Sequence, residues 1–196
     1  MKSLFLLLFL MLTIRSFGQI DYVQSIEESR VLAQTEMREV ILDSAERKSF
    51  EGICYFPVDS NFRVKATFHK EKGTVFYMPM TKARKVRYQA VGYLEFRIKD
   101  SLCRLTLYKN LDLSDPAYKH YYFLPFKDGT TAISTYGAGR YLDVYRRKNQ
   151  RTVLLDFNKA YHPYCAYSDR YSCPIVPSEN TITPAISAGE CYKLTH

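Results

Sequence analysis

The stretch DFNKAYHPYCAYSDRYSCP, Asp156 to Pro174, concentrates side chains that could do chemistry: two cysteines, a histidine and four tyrosines. Cys165 and Cys173 enclose a nine-residue ring, and Pro163 and Pro174 stiffen its two ends. In an oxidising compartment such a pair is a disulfide candidate that would stabilise the fold by ~2.6 kcal/mol through loop entropy. The spacing alone leaves the pair open as either a staple or a site.

Two reactive interpretations of the same stretch need further residues. A zinc site could use His162 and Cys165, with Cys173 and Cys191 completing four ligands, but structural zinc prefers close pairs at both ends of the site. A thiol nucleophile at Cys165 could be activated by His162 or held near Asp156, and it would need a partly open, electropositive setting. Neither pattern is complete in the sequence, so we expect no metal and no cofactor.

A third interpretation is a polar binding cleft in the C-terminal part of the chain. Small-molecule sites commonly place a few polar groups among apolar and aromatic walls. The polar groups are Arg140, Asp156, Asn158, Asn180 and Glu190. The tyrosines that could form the rim are Tyr136, Tyr141, Tyr145, Tyr161, Tyr164, Tyr167 and Tyr171. The ligand-binding candidates are therefore these five polar residues together with Asp143, Tyr161 and Tyr164. The alternative is a turn-rich cap whose tyrosine hydroxyls bond to loop backbone.

The segment TYGAGRYLD places two glycines around Ala138, directly before Arg140. Glycines permit positive φ angles and close backbone approach, and arginine binds carboxylate or phosphate through two hydrogen bonds. No helix follows, so this is not a nucleotide-cradling loop. We expect Arg140 to contact Asp143, Asp156 or Glu190 at the border of one cavity. Glu190 is the best candidate for a buried acid.

The elements that must position these residues change character once along the chain. From Tyr22 to about Arg47 the apolar residues recur at helical spacing, and Ser25 with Glu28 fits a capping box. The apolar positions are Tyr22, Ile26, Ala33, Met37, Val40 and Ser44. We therefore expect an N-terminal helix over residues 19–48.

From Ser49 onward the sequence has short runs rich in Val, Tyr, Phe, Leu and Thr, joined by polar turns. The runs are FRVKATFH, TVFYMPM, VRYQAVGYLEFRI, LCRLTLYK, HYYFLPF, GRYLDVYRR and RTVLLDFN. Seven such runs predict a mostly β domain over residues 49–196, an antiparallel sandwich or barrel behind one N-terminal helix.

The first residues, MKSLFLLLFLMLTIRSFGQI, have the pattern of a secretory signal peptide. Lys2 begins it, an apolar run follows, and Ser16 and Gly18 are small residues suited to cleavage before Gln19. We expect a signal peptide over residues 1–18 and an exported protein, periplasmic or secreted. No second long apolar run follows, so no transmembrane segment is expected.

The chain carries a formal net charge of +8, and loss of Lys2 and Arg15 with the signal peptide lowers it to +6. Two basic clusters stand out, KARKVR (82–87) and YRRKNQR (145–151). Either could meet an anionic polymer or a membrane surface, but charge runs mostly mark solvated turns. Export argues against nucleic acid as a partner.

Three segments of this sequence resemble one bacterial family, domain-of-unknown-function family 1684. They are YFPVDSNFRVKATF, FKDGTTAISTYGAGRYLD and DFNKAYHPYCAYSDRYSCPIVPSENTITPAISAGE. The residues that match the family's motifs are Gly137, Gly139, Arg140, Asp143, Asp156, Asn158, Tyr161, Pro163, Cys165, Cys173, Pro174, Asn180 and Glu190. The family usually has Asn-Pro where this chain has His162-Pro163, so the resemblance implies no role for His162. It implies a shared fold and a shared C-terminal site, and it supplies no reaction.

The sequence thus predicts an exported domain that binds a small molecule or envelope component in a C-terminal polar and aromatic cleft. A hydrolase or thiol-dependent enzyme using the same cleft is one alternative, and a scaffold without a small-molecule site is the other. The five cysteines are an odd number, so at least one is free or intermolecular. We expect Cys54 and Cys103 to be buried free thiols, and the sequence leaves the oligomeric state open.

Overall fold

The computed structural model describes residues 21–192, so the predicted signal peptide over residues 1–18 lies outside the described residues. The described part of the chain divides into two compact units, one ending at Phe50 and the other beginning at Glu51. In the part of the chain that is described, no helix combines the length and apolar character needed to cross a membrane.

The first unit contains the predicted N-terminal helix. Helix α1 spans residues 21–36 and continues as one π-helical turn, Met37–Ile41; the short helix α2 spans Glu46–Ser49. Ile26 and Met37 are buried, as the helical spacing predicts, whereas Val40 is 70% exposed. The π-helical turn is wider by one residue, and this shifts the buried position from Val40 to Ile41.

The predicted capping box at Ser25 is wrong. Residue 21 is already helical, so Ser25 lies inside the helix, and its hydroxyl donates to the Tyr22 carbonyl 2.8 Å away. A serine that bonds back to the preceding turn is the usual alternative to capping.

The second unit is mostly antiparallel β, which confirms the predicted fold class. Its strands are β1 (Cys54–Tyr55), β2 (Arg63–Lys70), β3 (Val75–Tyr77), β4 (Arg87–Ile98), β5 (Ser101–Asn110), β6 (Tyr121–Phe126), β7 (Arg140–Tyr145), β8 (Thr152–Asp156) and β9 (Glu190–Cys191). Strands β2 to β8 are the seven predicted runs and form one seven-stranded sheet. The sequence did not predict the short pair β1 and β9.

The large sheet is curled into a half-barrel. Its order is β7-β6-β5-β4-β2-β8, with β3 also paired to β4, so β7 and β8 lie at opposite edges although they are consecutive in the chain. Only residues 146–151 join them, and the Gln150 amide donates to the Arg147 carbonyl at 3.0 Å, which folds this link into a turn. A flat sheet of six strands would hold its edges about 24 Å apart. The sheet must therefore curl until the turn can connect its two edges.

Apolar clusters lie on both faces of this sheet. The larger cluster includes Ala66, Leu94, Leu105, Leu124 and Leu142, and Phe62, Val64 and Phe68 pack against it from one side of β2, as the alternation predicts. The opposite face carries Met78, Tyr88, Tyr108, Phe123 and Tyr141. Several tyrosines thus belong to the core of the sheet.

A disulfide joins the two short strands. Strands β1 and β9 pair antiparallel with Cys54 opposite Cys191, their Cα atoms 5.0 Å apart, and the two sulfurs are bonded. The expectation that Cys54 is a free thiol is therefore wrong, because a two-residue ladder too short to show in the sequence places it opposite Cys191. Cys103 is buried and free, as expected.

Removing this disulfide should destabilise the protein strongly. The bond spans 137 residues, and loop entropy assigns such a closure about 5 kcal/mol. We expect the double variant Cys54→Ser/Cys191→Ser to lose roughly 3–5 kcal/mol of unfolding free energy in urea titrations. Dithiothreitol should bring the wild type to the level of the equally reduced double variant, and any loss in the double variant itself would report a bond between Cys165 and Cys173. Equal stability of reduced and oxidised wild type would contradict this assignment.

Candidate functional site

Arg140, the first residue of β7, is the most completely buried charged group among the predicted site residues, with 1% of its surface exposed. Its Nη2 lies 2.6 Å from Oδ2 of Asp128, whose side chain is equally buried. Gly139 positions it with a φ of +97°, and a Cβ there would lie 2.6 Å from the Phe126 carbonyl oxygen. Only glycine fits this turn into the strand.

The rest of the Arg140 guanidinium binds main-chain carbonyls of the C-terminal segment. Nη2 donates to Ile186 at 2.8 Å, and Nη1 donates to Ala188 and, at 3.2 Å, to Glu190. The predicted contact between Arg140 and Glu190 thus exists through the Glu190 carbonyl. The carboxylate partner of Arg140 is Asp128. The sequence did not indicate this partner, because Asp-Gly followed by Thr is typical of a turn.

Glu190 forms the second buried centre. Its Oε2 accepts the main-chain N–H of His162 at 2.8 Å and the Tyr167 hydroxyl at 2.7 Å, and it lies 3.5 Å from His162 Nδ1. The Tyr136 amide donates to His162 Nε2 at 3.2 Å. This bond makes Nε2 an acceptor and leaves the proton of a neutral imidazole on Nδ1, facing Glu190 and Tyr167.

Burial shifts the pKa values of this pair in opposite directions. It raises the pKa of Glu190 to about 7, against the lowering effect of the His162 and Tyr167 hydrogen bonds and of nearby Arg140. Burial lowers the pKa of His162 to about 3, and the Arg140 charge adds to this. Burial also raises the pKa of Tyr167. The centre therefore holds a carboxyl that changes charge near neutral pH beside a neutral imidazole.

A third centre surrounds Asp143 on the opposite side of β7. Its Oδ1 accepts the Tyr161 hydroxyl at 2.9 Å and the Tyr121 hydroxyl at 3.0 Å. Desolvation among these rings raises the pKa of Asp143, while the two hydroxyls lower it. Tyr164 packs edge-to-face on Tyr171, 5.3 Å between ring centroids. Asp143 and Tyr161 thus lie together, and Arg140 is paired elsewhere.

Asp156 and Asn158 form a structural joint at the end of β8. The Asn158 side chain accepts the Asp59 amide at 2.9 Å and donates to the Asp59 carbonyl at 2.8 Å, and its amide nitrogen also lies 3.1 Å from Asp156 Oδ1. The exposed Arg63 lies 4.0 Å from Asp156. The contacts of this pair hold the segment before β2.

Asn180, which is fully buried, bridges two strands. Its side chain accepts the Thr106 amide at 2.8 Å and donates to the carbonyls of Thr106 at 2.9 Å and Pro125 at 2.7 Å. It thus supplies a partner where β5 and β6 diverge and where Pro125 has no N–H to donate. The polar residues predicted to converge therefore belong to separate hydrogen-bonded centres, of which Arg140 and Glu190 are neighbours.

Cys165 and Cys173 carry thiols in the structure, with the Cys165 amide donating to Cys173 Sγ at 3.3 Å. Burial raises the pKa of Cys173 to about 12. Their oxidation to a disulfide stays a prediction. The predicted zinc ligand Cys191 is bonded to Cys54, and residues 21–192 contain no group of three or more His, Cys, Asp or Glu side chains arranged for a metal.

This chain is similar to a protein family and to a solved structure, and neither has an assigned activity. The model of the family described as "Protein of unknown function (DUF1684)" matches residues 48–191. The solution NMR structure of an uncharacterized protein from Haloarcula marismortui is 31% identical to this chain, covers 91% of it and 98% of its own length, and superposes with a TM-score of 0.68. No curated protein matches.

The buried Arg140–Asp128 pair should contribute far more to the free energy of unfolding than an exposed ion pair does. We expect Arg140→Ala to lower the unfolding free energy by roughly 3–5 kcal/mol, because the Asp128 carboxylate and three carbonyls lose their donor in the interior. Arg104→Ala, which breaks an exposed pair with Glu95, should change it by under about 1 kcal/mol. Urea unfolding of both variants measures the contrast, and similar losses in the two would contradict a structural role for Arg140.

The Glu190–His162 pair should also leave a signature in the pH dependence of stability. Glu190 ordinarily ionises near 4.5 and His162 near 6.5. Between these values the unfolded pair is carboxylate and imidazolium, and the folded pair is neutral acid and neutral imidazole. Each state holds one proton, so the pair adds no pH dependence in this window.

His162→Asn removes one half of this compensation. The stability of this variant should then fall as the pH rises from about 4.5 to about 7, by up to about 1.4 kcal/mol per pH unit, since the folded state retains the Glu190 proton. In Glu190→Gln the slope should reverse, with stability lost as the pH falls below about 6.5, because the folded state resists protonation of His162. Urea titrations across pH 4–8 test both, and a His162→Asn curve that stays flat between about pH 4.5 and 7 would show that Glu190 ionises normally.

Proposed function

Because this chain belongs to the DUF1684 family, whose description names no activity, we propose its function from the geometry. The protein is an exported binding domain that holds a small uncharged polar ligand at Glu190. The neighbouring rings of Tyr136 and Tyr192 form the aromatic side of the site. This is the cleft interpretation of the sequence, centred on Glu190, a predicted acid that lies among the tyrosines.

The observation that carries the proposal is the uneven use of the Glu190 carboxyl. Within residues 21–192, both of its hydrogen bonds, from His162 and Tyr167, are made to Oε2. Oε1 is left to a ligand. Because its pKa lies near 7, the carboxyl can donate or accept a hydrogen bond at neutral pH, which suits a hydroxyl or amide.

The aromatic surroundings favour a compact ring-shaped ligand. The ring centroids of Tyr136 and Tyr192 lie 6.0 and 6.3 Å from that of His162 and 6.2 Å from each other. Tyr192 is 48% exposed, so this group reaches the surface. Tyrosine rings beside a few polar groups suit the apolar face and the hydroxyls of a sugar unit, such as one from the cell envelope.

Export rests on the start of the sequence and on the oxidised pair. Disulfides persist in the periplasm and outside the cell and are rare in the cytosol. The Cys54–Cys191 bond therefore supports the export expected from the first residues. The rival interpretation, a thiol enzyme in the same cleft, lacks support from His162, whose ring nitrogens face Tyr136, Tyr167 and Glu190.

A ligand screen tests the proposal. We expect neutral sugars and N-acetylated sugars to include one that raises the melting temperature of the exported protein, whose intact mass should correspond to a start at Gln19. A ligand that binds only the native state stabilises it by RT ln(1 + [L]/Kd), so the melting temperature rises with ligand concentration. The chain has no tryptophan, so tyrosine fluorescence reports directly on binding.

The decisive variant is Glu190→Gln, with Glu179→Gln as its matched control. Each glutamate accepts a tyrosine hydroxyl, Glu190 from Tyr167 at 2.7 Å and Glu179 from Tyr108 at 2.6 Å, and only Glu190 is buried. We expect Glu190→Gln to weaken binding at least about tenfold at pH 7, or about 1.4 kcal/mol, and Glu179→Gln to leave it unchanged. A ligand bound equally by both variants would place the site elsewhere, and a screen without hits would favour a scaffold.

A further inference from the structure

A groove of about 760 Å³ lies where the turn 146–151 joins β7 to β8. The C-terminal end of β2 and the middle of β4 form its other walls. Its volume falls in the range of small-molecule sites, about 300–1,000 Å³. It contains none of the residues of the Glu190 centre.

The charged side chains that line this groove are mostly cations. Lys70, Arg146, Lys148 and Arg151 face one carboxylate, Glu71, which leaves an excess of three positive charges. The ion pairs formed within residues 21–192 include none of the four cations. A concentration of unneutralised cations in a concave site attracts anions. This is the YRRKNQR cluster of the sequence, for which a solvated turn was the expected interpretation.

Arg146 departs most clearly from a solvated turn. It is only 9% exposed, its Nη2 donates to the Lys148 carbonyl at 3.1 Å, and its buried Nε has no hydrogen-bond partner in the described structure. A buried guanidinium is normally paired with a carboxylate and saturated with acceptors. An anion in the groove would supply the missing countercharge.

The packing of Phe68 holds the Arg146 side chain in the groove. Its guanidinium carbon lies 3.6 Å from the centroid of the Phe68 ring, which holds the group by stacking. The Phe68 ring in turn fits against Gly92, a β-bulge residue with a φ of +150°, where a Cβ would lie 2.7 Å from the ring. Any larger residue at position 92 would displace the ring that supports Arg146.

Two stacked aromatic side chains also line the groove. His69 and Tyr93, paired across β2 and β4, stack with centroids 4.7 Å apart and planes 8° from parallel, and both line the groove. We propose that this groove binds a phosphate-bearing small molecule. Its phosphate lies against Arg146, Lys148 and Arg151, and its organic part lies against Tyr93. A phosphate ester carries about two negative charges at neutral pH and several acceptor oxygens, which matches the excess charge better than a single carboxylate does.

Calorimetric titration of the intact exported protein tests this assignment. The probes are inorganic phosphate, glucose 6-phosphate and, as the uncharged counterpart, glucose. Phosphatidylglycerol vesicles, with phosphatidylcholine vesicles beside them, test whether the phosphate is that of a lipid headgroup. We expect a phosphate probe to bind and its binding to weaken as salt concentration rises. Any binding of the uncharged counterpart would occur at Glu190, so it should not change in Arg146→Met.

Variants localise the site. Arg146→Met keeps an apolar stem over Phe68, and Lys148→Met alters an exposed residue that should not affect folding. Each should raise the Kd at least about tenfold, or about 1.4 kcal/mol. Lys85→Met is the matched control, because it removes one charge and one contact with an aromatic ring, that of Tyr77 at 5.9 Å, from the other basic cluster. Glu190→Gln should leave phosphate binding unchanged, which separates this site from the proposed sugar site.

Binding of the small phosphates that is lost in Arg146→Met and Lys148→Met supports the site and identifies a free phosphate compound as the ligand. Binding of phosphatidylglycerol vesicles alone, lost in the same variants, supports the site and identifies a lipid headgroup. No binding of any phosphate probe would overturn the assignment. An equal loss in Lys85→Met would also overturn it, because the attraction would then be a property of net charge.

Discussion

The buried guanidinium of Arg140 is the interaction on which the C-terminal part of this fold depends. The chain between β8 and β9 forms short helical turns and isolated bridges but no strand. Its main-chain carbonyls therefore need hydrogen-bond donors from other parts of the protein. One arginine donates to three of them, at Ile186, Ala188 and Glu190, while Asp128 neutralises its charge. Lysine could not replace it, because a single ammonium group cannot present this fixed fork of donors.

Fixing this segment also fixes the acid that we place at the ligand site. The Glu190 carbonyl is held by Arg140, its amide donates to the Ala160 carbonyl at 2.9 Å, and the adjacent Cys191 is covalently bound to β1. The Glu190 side chain is therefore oriented by its own backbone before any ligand arrives. Such support lets a carboxyl remain buried with a raised pKa, since main-chain displacement cannot relieve the desolvation.

The sequence predicted the sheet well because alternation and strand composition are local properties. Phe62 to Phe68 alternate between the two faces of β2 as their burial requires. It predicted Glu190 as a buried acid and Arg140 as a paired arginine, but not Asp128, whose turn-like neighbours Gly129 and Thr130 give no sign of a partner twelve residues away. The Cys54–Cys191 disulfide was missed for a related reason. Its pairing depends on a contact across 137 residues, and no local pattern encodes such a contact. The separation of Asp156, Asn158 and Asn180 into their own centres is likewise a result of packing that composition does not show.

Two buried arginines at the two ends of β7 differ in how their charges are neutralised. Arg140 begins β7 and Arg146 follows its end, and Leu142 and Val144 between them point into the same apolar cluster. Both guanidiniums are withdrawn from water and both lie over a phenylalanine ring, Phe126 for the first and Phe68 for the second. Arg140 has a carboxylate and three carbonyls, which is enough to repay desolvation, whereas Arg146 has the Lys148 carbonyl and an Nε with no acceptor in the described structure. The fold therefore neutralises the buried charge of Arg140 and leaves that of Arg146 for an anion. Arg146 lies at the start of the turn that connects the two edges of the curled sheet.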